Sequence, residues 1–229
     1  MKASLQVEFC CLGPATTISQ IESACNQALH HQVAAICVPP MLVKKTKELL
    51  GNHGTRVGTV VGFPYGYSAI EAKLAETVLA IVDGADEINL VINLLALKNN
   101  DWQWLAKELN TIMPVIRKNN RTIAVIIETG LMTKEETSAC CDLYGAAGVD
   151  FIQVSTGVDA SVVSPEKLSM IRSQLADAVQ IKLAGKMDYL SLNKWMETTV
   201  NRIVTDDEEF LKHLGTGNDG MVFETSKAR

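Results

Sequence analysis

The chain has 229 residues, 47% of them hydrophobic, and a formal net charge of −5 at pH 7. That composition belongs to a globular protein with a substantial core, in one large domain or two small ones. Its 21 basic residues are scattered among 26 acidic ones, so no clustered positive face marks nucleic acid or an anionic membrane as a partner.

The opening MKASLQVEFC is short and interrupted by Glu8, unlike a signal peptide. Short runs rich in valine and isoleucine then alternate with longer segments of helical period. The first strand is expected at EFCCL (8–12) and the first helix at ISQIESACNQALHH (18–31), whose closing His30 and His31 suit a helix C-terminus. AAICV (34–38) and RVGTVVGF (56–63) are the next strands, and YSAIEAKLAETVLAIVDG (67–84) is a helix stopped by Gly84. The strand EINLVIN (87–93) precedes the helix DWQWLAKELNTIMPVIRKNN (101–120). After the strand TIAVIIE (122–128) comes TKEETSACCDLYGAAG (133–148), with a capping box at Thr133 and Glu136 and a stop at Gly148. DFIQVS (150–155), VQIKLA (179–184) and NRIVT (201–205) complete the strands. The tail from about 205 opens with Asp206, Asp207, Glu208 and Glu209 and turns glycine-rich; a solvated last helix and a frayed end are expected.

Continuous apolar strands separated by helices signify a parallel sheet covered on both faces. About eight strands at this length predict an α/β protein with a single (β/α)8 TIM barrel over residues 1–229. The dinucleotide and P-loop glycine patterns follow no strand. The stretch TVLAIVDGADEINLVINLLAL is long and apolar, but Asp83, Asp86 and Glu87 exclude a membrane span. A cytoplasmic location is therefore expected. The six cysteines (Cys10, Cys11, Cys25, Cys37, Cys140, Cys141) include two vicinal pairs and no CxxC, and the four histidines lack ligand spacing. Buried reduced thiols are expected, with no metal and no cofactor.

In such a barrel the functional residues stand at the C-terminal ends of the strands. Those ends hold Pro39 and Pro40, the turn 62–66, Asn89 and Asn93, Glu128, Gln153 to Gly157, Lys182 to Lys186, and Thr205 to Asp207. Glu128 and Lys182 are the titratable groups expected to point inward. A lysine is rarely buried without a purpose or a partner. Desolvation would make Lys182 an amine nucleophile toward a carbonyl, or its ammonium pairs with a carboxylate such as Glu128. Lys186 is expected in a loop, against an anion or solvent. Ser155, Thr156 and Gly157 form a turn suited to an anion. Gln153 stands just before that turn, able to hydrogen-bond but carrying neither a titratable proton nor a nucleophile.

The runs VGTVVGFPYG, GADEINLVIN, IAVIIETGLMT, AGVDFIQVSTG and QIKLAGK resemble, in order and spacing, the deoxyribose-phosphate aldolase family. The resemblance extends from about AAICVPP to NRIVT. It implies a (β/α)8 lyase that joins and splits acetaldehyde and glyceraldehyde 3-phosphate through a lysine Schiff base, without a metal. The family's nucleophilic lysine falls on Gln153. Its second lysine, which lowers the first one's pKa and moves protons, falls on Lys182, and its proton-handling aspartate on Asn89. Its phosphate-binding glycine turns match Gly157 and Gly185, with Lys186 in place of a second glycine. Glu8 and Cys10 stand where the family has an aspartate and a threonine. RIVTD replaces a pattern of the type RIGTS, so Val204 and Asp206 disfavour a dianion there.

A carbinolamine cannot form on an amide, so the implied mechanism cannot run through Gln153. Three readings follow: a binding or regulatory protein without Schiff-base chemistry, an aldolase with its nucleophile moved to Lys182, or proton transfer by Glu128 with Lys182 as electrostatic stabiliser. Gln153 and Asn89 are expected to hydrogen-bond each other, or Lys182, and keep the site folded. The expected partner is a small sugar phosphate or aldehyde, with no nucleic acid and no membrane; a homodimer is admitted.

Overall fold

A computed structural model describes residues 6–158, 163–185 and 200–212. Eight parallel strands close into a barrel in chain order: β1 (Gln6–Cys10), β2 (Ala35–Val38), β3 (Arg56–Val61), β4 (Glu87–Val91), β5 (Thr122–Ile126), β6 (Phe151–Gln153), β7 (Gln180–Ala184) and β8 (Arg202–Thr205). Closure is made by β1 pairing with β8, Glu8 opposite Val204. Around the barrel lie α1 (Ile18–His30), α2 (Val43–Leu50), α3 (Ile70–Val82), α4 (Leu94–Lys98), α5 (Trp102–Lys118), α6 (Lys134–Ala146), α7 (Pro165–Gln174) and α8 (Glu208–Lys212). The (β/α)8 expectation from the strand count is therefore met.

Successive side chains on a strand face opposite sides, and the sequence divides its residues accordingly. Val7, Phe9, Ile36, Val38, Ile88, Leu90, Ile123, Val125, Ile152, Ile181, Leu183 and Ile203 join the helices in one apolar core. The alternate positions face the lumen, and there the chain places Glu8, Glu87, Asn89, Phe151, Gln153, Lys182 and Arg202, all buried. Polar residues interrupting otherwise apolar strands at even spacing thus converge on one interior.

Helix ends follow local chemistry. Thr133 accepts from the Glu136 amide while the Glu136 side chain accepts from Thr133, the expected capping box of α6. All eight strands are shorter or shifted relative to the sequence expectation, β2, β7 and β8 by a single residue at the start and β3 by two at the end. β1 starts and ends two residues early, and β4 stops at Val91 because Asn93 caps α4, its Oδ1 accepting from the Ala96 amide at 3.0 Å. β5 stops at Ile126 and β6 at Gln153; the Ile127 and Val154 amides still donate to the Gln153 and Lys182 carbonyls, and further on the Thr156 and Gly157 amides turn to the Glu128 carboxylate and the Ser155 hydroxyl. Gly66 fixes the turn after β3: its φ is +70°, and a Cβ there would lie 1.9 Å from the Ile92 carbonyl oxygen. The glycine-rich tail beyond 212 lies outside the described residues.

Candidate active site

Lys182 lies at the centre of the lumen with its side chain fully buried. Its Nζ donates to Glu8 Oε2 at 2.6 Å, to Glu87 Oε2 at 3.1 Å and to Asn89 Oδ1 at 3.0 Å. Arg202 Nη1 donates to Glu87 Oε2 at 2.5 Å and to Glu8 Oε2 at 3.3 Å. Asn89 Nδ2 completes the group by donating to Glu8 Oε1 at 3.2 Å and to Cys37 Sγ at 3.3 Å. Both cations also lie over the Phe151 ring, Lys182 at 4.9 Å and Arg202 at 4.6 Å from its centroid. An ammonium and a guanidinium thus face two carboxylates in a buried interior.

The electrostatics follow from that count. Burial alone would lower the Lys182 pKa, but Glu8 and Glu87 outweigh it and hold the ammonium above its ordinary range. Burial would likewise raise Glu87, yet Lys182 and Arg202 hold its carboxyl down at about 2. Of the two sequence readings of Lys182, the geometry carries the ion pair, with a corrected partner. Glu8 and Glu87 hold the lysine, whereas Glu128 is engaged elsewhere.

Glu128 Oε2 accepts from the Thr156 amide at 2.8 Å and from Thr156 Oγ1 at 2.5 Å. Gln153 Nε2 donates to the Ser155 carbonyl at 2.8 Å. The expectation that Gln153 bonds Asn89 or Lys182 is therefore corrected: Asn89 reaches Lys182, while Gln153 turns to the 155–157 loop. Ser155 Oγ accepts from the Gly157 amide at 3.0 Å and closes that turn. Gln153 Oε1 and Glu128 Oε1 are both buried without a hydrogen-bond partner. The loop is thus held from below by two side chains, each with a spare acceptor.

Above the ionic group, two residues further along β1, β7 and β8, stand Cys10, Ala184 and Val204. They form the floor of a cavity of about 310 Å³ at the C-terminal mouth, whose walls include Phe63, Thr156, Gly157 and Gly185, with Asp206 at the rim. Gly157 and Gly185 have φ of +79° and +122°, with open space where a Cβ would stand. Among the described residues no lysine or arginine lines this cavity; Lys186 lies outside them. The hydrogen bond to Cys37 and burial push the Cys10 thiol well up, so it is no thiolate nucleophile. Among the described residues no group of three potential ligands is placed to hold a metal.

The counter-charges Glu87 and Arg202 were missed as site residues by sequence reasoning. Their signal was parity: Glu87 stands two residues from Asn89, and Arg202 two from Val204, all on the lumen face.

Fold and site define the class, a (β/α)8 barrel with a charged lumen below a glycine-lined C-terminal mouth. The model of the DeoC/LacD family aldolases matches residues 8–204, and the chain belongs to that family. It is 34% identical over 200 residues to a deoxyribose-phosphate aldolase of Clostridium botulinum, covering 87% of this chain and 89% of the relative. A deoxyribose-phosphate aldolase of Thermococcus kodakarensis is 34% identical over 197 residues, with 85% and 88% covered. Among solved structures, the aldolase QR15 superposes with a TM-score of 0.82 at 28% identity, covering 93% of this chain and 96% of that one. The tetrameric deoxyribose phosphate aldolase from Aeropyrum pernix shares the fold, with a TM-score of 0.80 at 21% identity over 90% and 88%.

Proposed function

We propose that this aldolase-family barrel binds a small hydroxylated aldehyde or sugar at its C-terminal mouth without forming a Schiff base. The observation that carries the reading is the clamp on Lys182. Imine formation needs a neutral amine whose lone pair attacks the carbonyl carbon. Even at an ordinary lysine pKa of ~10.4, fewer than roughly one amine in a thousand is neutral at pH 7, and Glu8 and Glu87 push Lys182 further that way. Cys10, Ala184 and Val204 also separate it from the mouth cavity, and the strand position nearer the mouth is the amide Gln153. Asp206 at the rim, and a described lining without a lysine or arginine, favour a ligand that offers hydroxyl donors over a phosphate dianion.

Borohydride trapping with acetaldehyde and with deoxyribose 5-phosphate, read by peptide mass spectrometry, tests the chemistry. No adduct on Lys182 is expected; an adduct there would establish a relocated nucleophile. Calorimetric titration tests the ligand class. Deoxyribose should bind more tightly than deoxyribose 5-phosphate, and the opposite order would sink the ligand assignment.

A second reading, proton transfer at Glu128, is favoured by its unpartnered Oε1 beside the loop. Under it, Glu128→Gln keeps ligand binding and loses isotope exchange of the ligand's α-hydrogen with solvent.

The reading includes a cytoplasmic location, supported by six unpaired cysteines. It also includes a homodimer through α3, whose outer face is apolar: Ala72 and Ala75, then Val78, Leu79 and Val82, all exposed. Small residues fill one half of that face and bulky ones the other, so two antiparallel copies about a twofold axis set bulk against space. Val78→Lys with Val82→Lys should halve the mass measured by light scattering without changing the circular dichroism of the folded chain; an unchanged mass removes α3 from any interface.

A further inference from the structure

The opposite end of the barrel carries a second cavity, of about 430 Å³, walled by residues at or just before the starts of the strands. Its lining includes Arg56 on β3, Thr122 on β5, Asp150 and Phe151 at β6, Gln180 on β7 and Arg202 on β8. The volume lies within the range of small-ligand sites. It reaches the charged lumen group directly, through Phe151 and Arg202, whereas the C-terminal mouth is separated from that group by the Cys10, Ala184 and Val204 layer.

Among the described residues, the charges around this cavity do not cancel. Lys182 and Arg202 already balance Glu8 and Glu87. Arg56 adds a further cation: its Nη1 reaches Glu87 Oε1 at 3.3 Å and Thr122 Oγ1 at 3.4 Å, and its side chain is 53% exposed. Asp150, the acidic residue of the lining, is engaged from outside the cavity, accepting from Arg117 Nη1 at 2.7 Å and from the Ile123 amide at 2.8 Å. Counted over the described residues that line the cavity or pair with its lining, one positive charge is therefore left over, on a guanidinium at the cavity, in a protein whose net charge is −5. Arg56 holds its two acceptors at long distances, and a guanidinium fork suits the paired oxygens of a carboxylate or phosphate. The Thr122 hydroxyl and the Gln180 amide supply neutral donors in the same wall.

We propose that the N-terminal mouth of the barrel is a binding site for a compact oxyanion, phosphate or carboxylate, held by Arg56 with Thr122 and Gln180 over the buried Arg202. The bond made is a charge-assisted hydrogen bond, and no covalent step is involved. An anion seated there draws Arg56 from Glu87, so the site reports on the lumen group without touching the C-terminal mouth.

The test is calorimetric titration of the full chain with inorganic phosphate and, separately, with malonate, at ionic strength held constant with sodium chloride. Saturable binding of at least one anion is expected, weakened tenfold or more by Arg56→Gln and by Gln180→Glu. Which anion binds separates a phosphate source from a carboxylate one. In the unaltered chain, saturating anion should also shift the side-chain Nε–Hε NMR signal of Arg56, a readout independent of how either variant folds. No saturable binding of either anion, or binding left unchanged by both variants, overturns the proposal.

Discussion

At the scale of single residues, the site is decided by which positions carry charge. Gln153 and Asn89 are neutral where the family resemblance implies a lysine and an aspartate, and Lys182 is spoken for by Glu8 and Glu87. Gln153→Lys alone should therefore restore little aldol activity, because Asn89 still replaces the proton relay. A retro-aldol assay with deoxyribose 5-phosphate showing turnover near that of an intact relative would contradict this. Lys182→Met should be costly in a different way. It leaves Glu8 and Glu87 with Arg202 as their shared buried cation, and removing one partner of a buried ion group costs about 3–5 kcal/mol. Urea unfolding measures that loss; a change under about 1 kcal/mol would show that water already reaches the lumen.

At the scale of elements, the loops that shape the mouth depend on close backbone approach and on caps. Gly66→Ala forces a side chain into positive φ and against the Ile92 carbonyl, so it should destabilise by at least roughly 2–3 kcal/mol in thermal denaturation. Thr133→Ala removes the N-cap of α6 and should cost about 1 kcal/mol, well below the glycine change. These features differ in how openly the sequence displays them. The α6 capping box was legible because both its residues lie within four positions and each bonds the other's backbone amide. The short α4 was not, since LLALK continues the apolar run of β4 and only the Asn93 cap separates them. The end of β6 was hidden for a related reason: VST reads as strand until the Glu128 carboxylate claims the Thr156 amide.

At the scale of the whole molecule, the eight strands were legible as apolar runs, and so was the barrel they close. The lumen group was only half legible. Lys182 stood out as a charge in an apolar strand, but its partners lie 174 and 95 positions away in the chain, and closure of the barrel alone brings them together. That group joins β1, β4, β7 and β8 across the interior, so its titration is a property of the entire fold. Glu87 has a folded pKa of about 2 against an ordinary 4.5. A depressed carboxyl stabilises the fold above its unfolded pKa, and the benefit disappears as pH falls toward the folded value. The barrel should therefore lose about 3 kcal/mol between pH 5 and 2 through this group, at ~1.4 kcal/mol per pKa unit. In Glu87→Gln the same acid titration should be flatter in that window, on a protein already weaker at pH 7. An unchanged slope would assign the acid sensitivity to other carboxylates.

The electrical neutrality of the Lys182 group also couples two positions across the barrel. Asn89 donates to Glu8 and accepts from Lys182, so an aspartate there would set two carboxylates against one another. A lysine in place of Gln153 would add a cation to an interior already balanced. Each substitution alone unbalances the charge, and only both together conserve it. Asn89→Asp with Gln153→Lys should therefore destabilise the barrel less than the two single changes added together, a coupling carried by charge across the lumen.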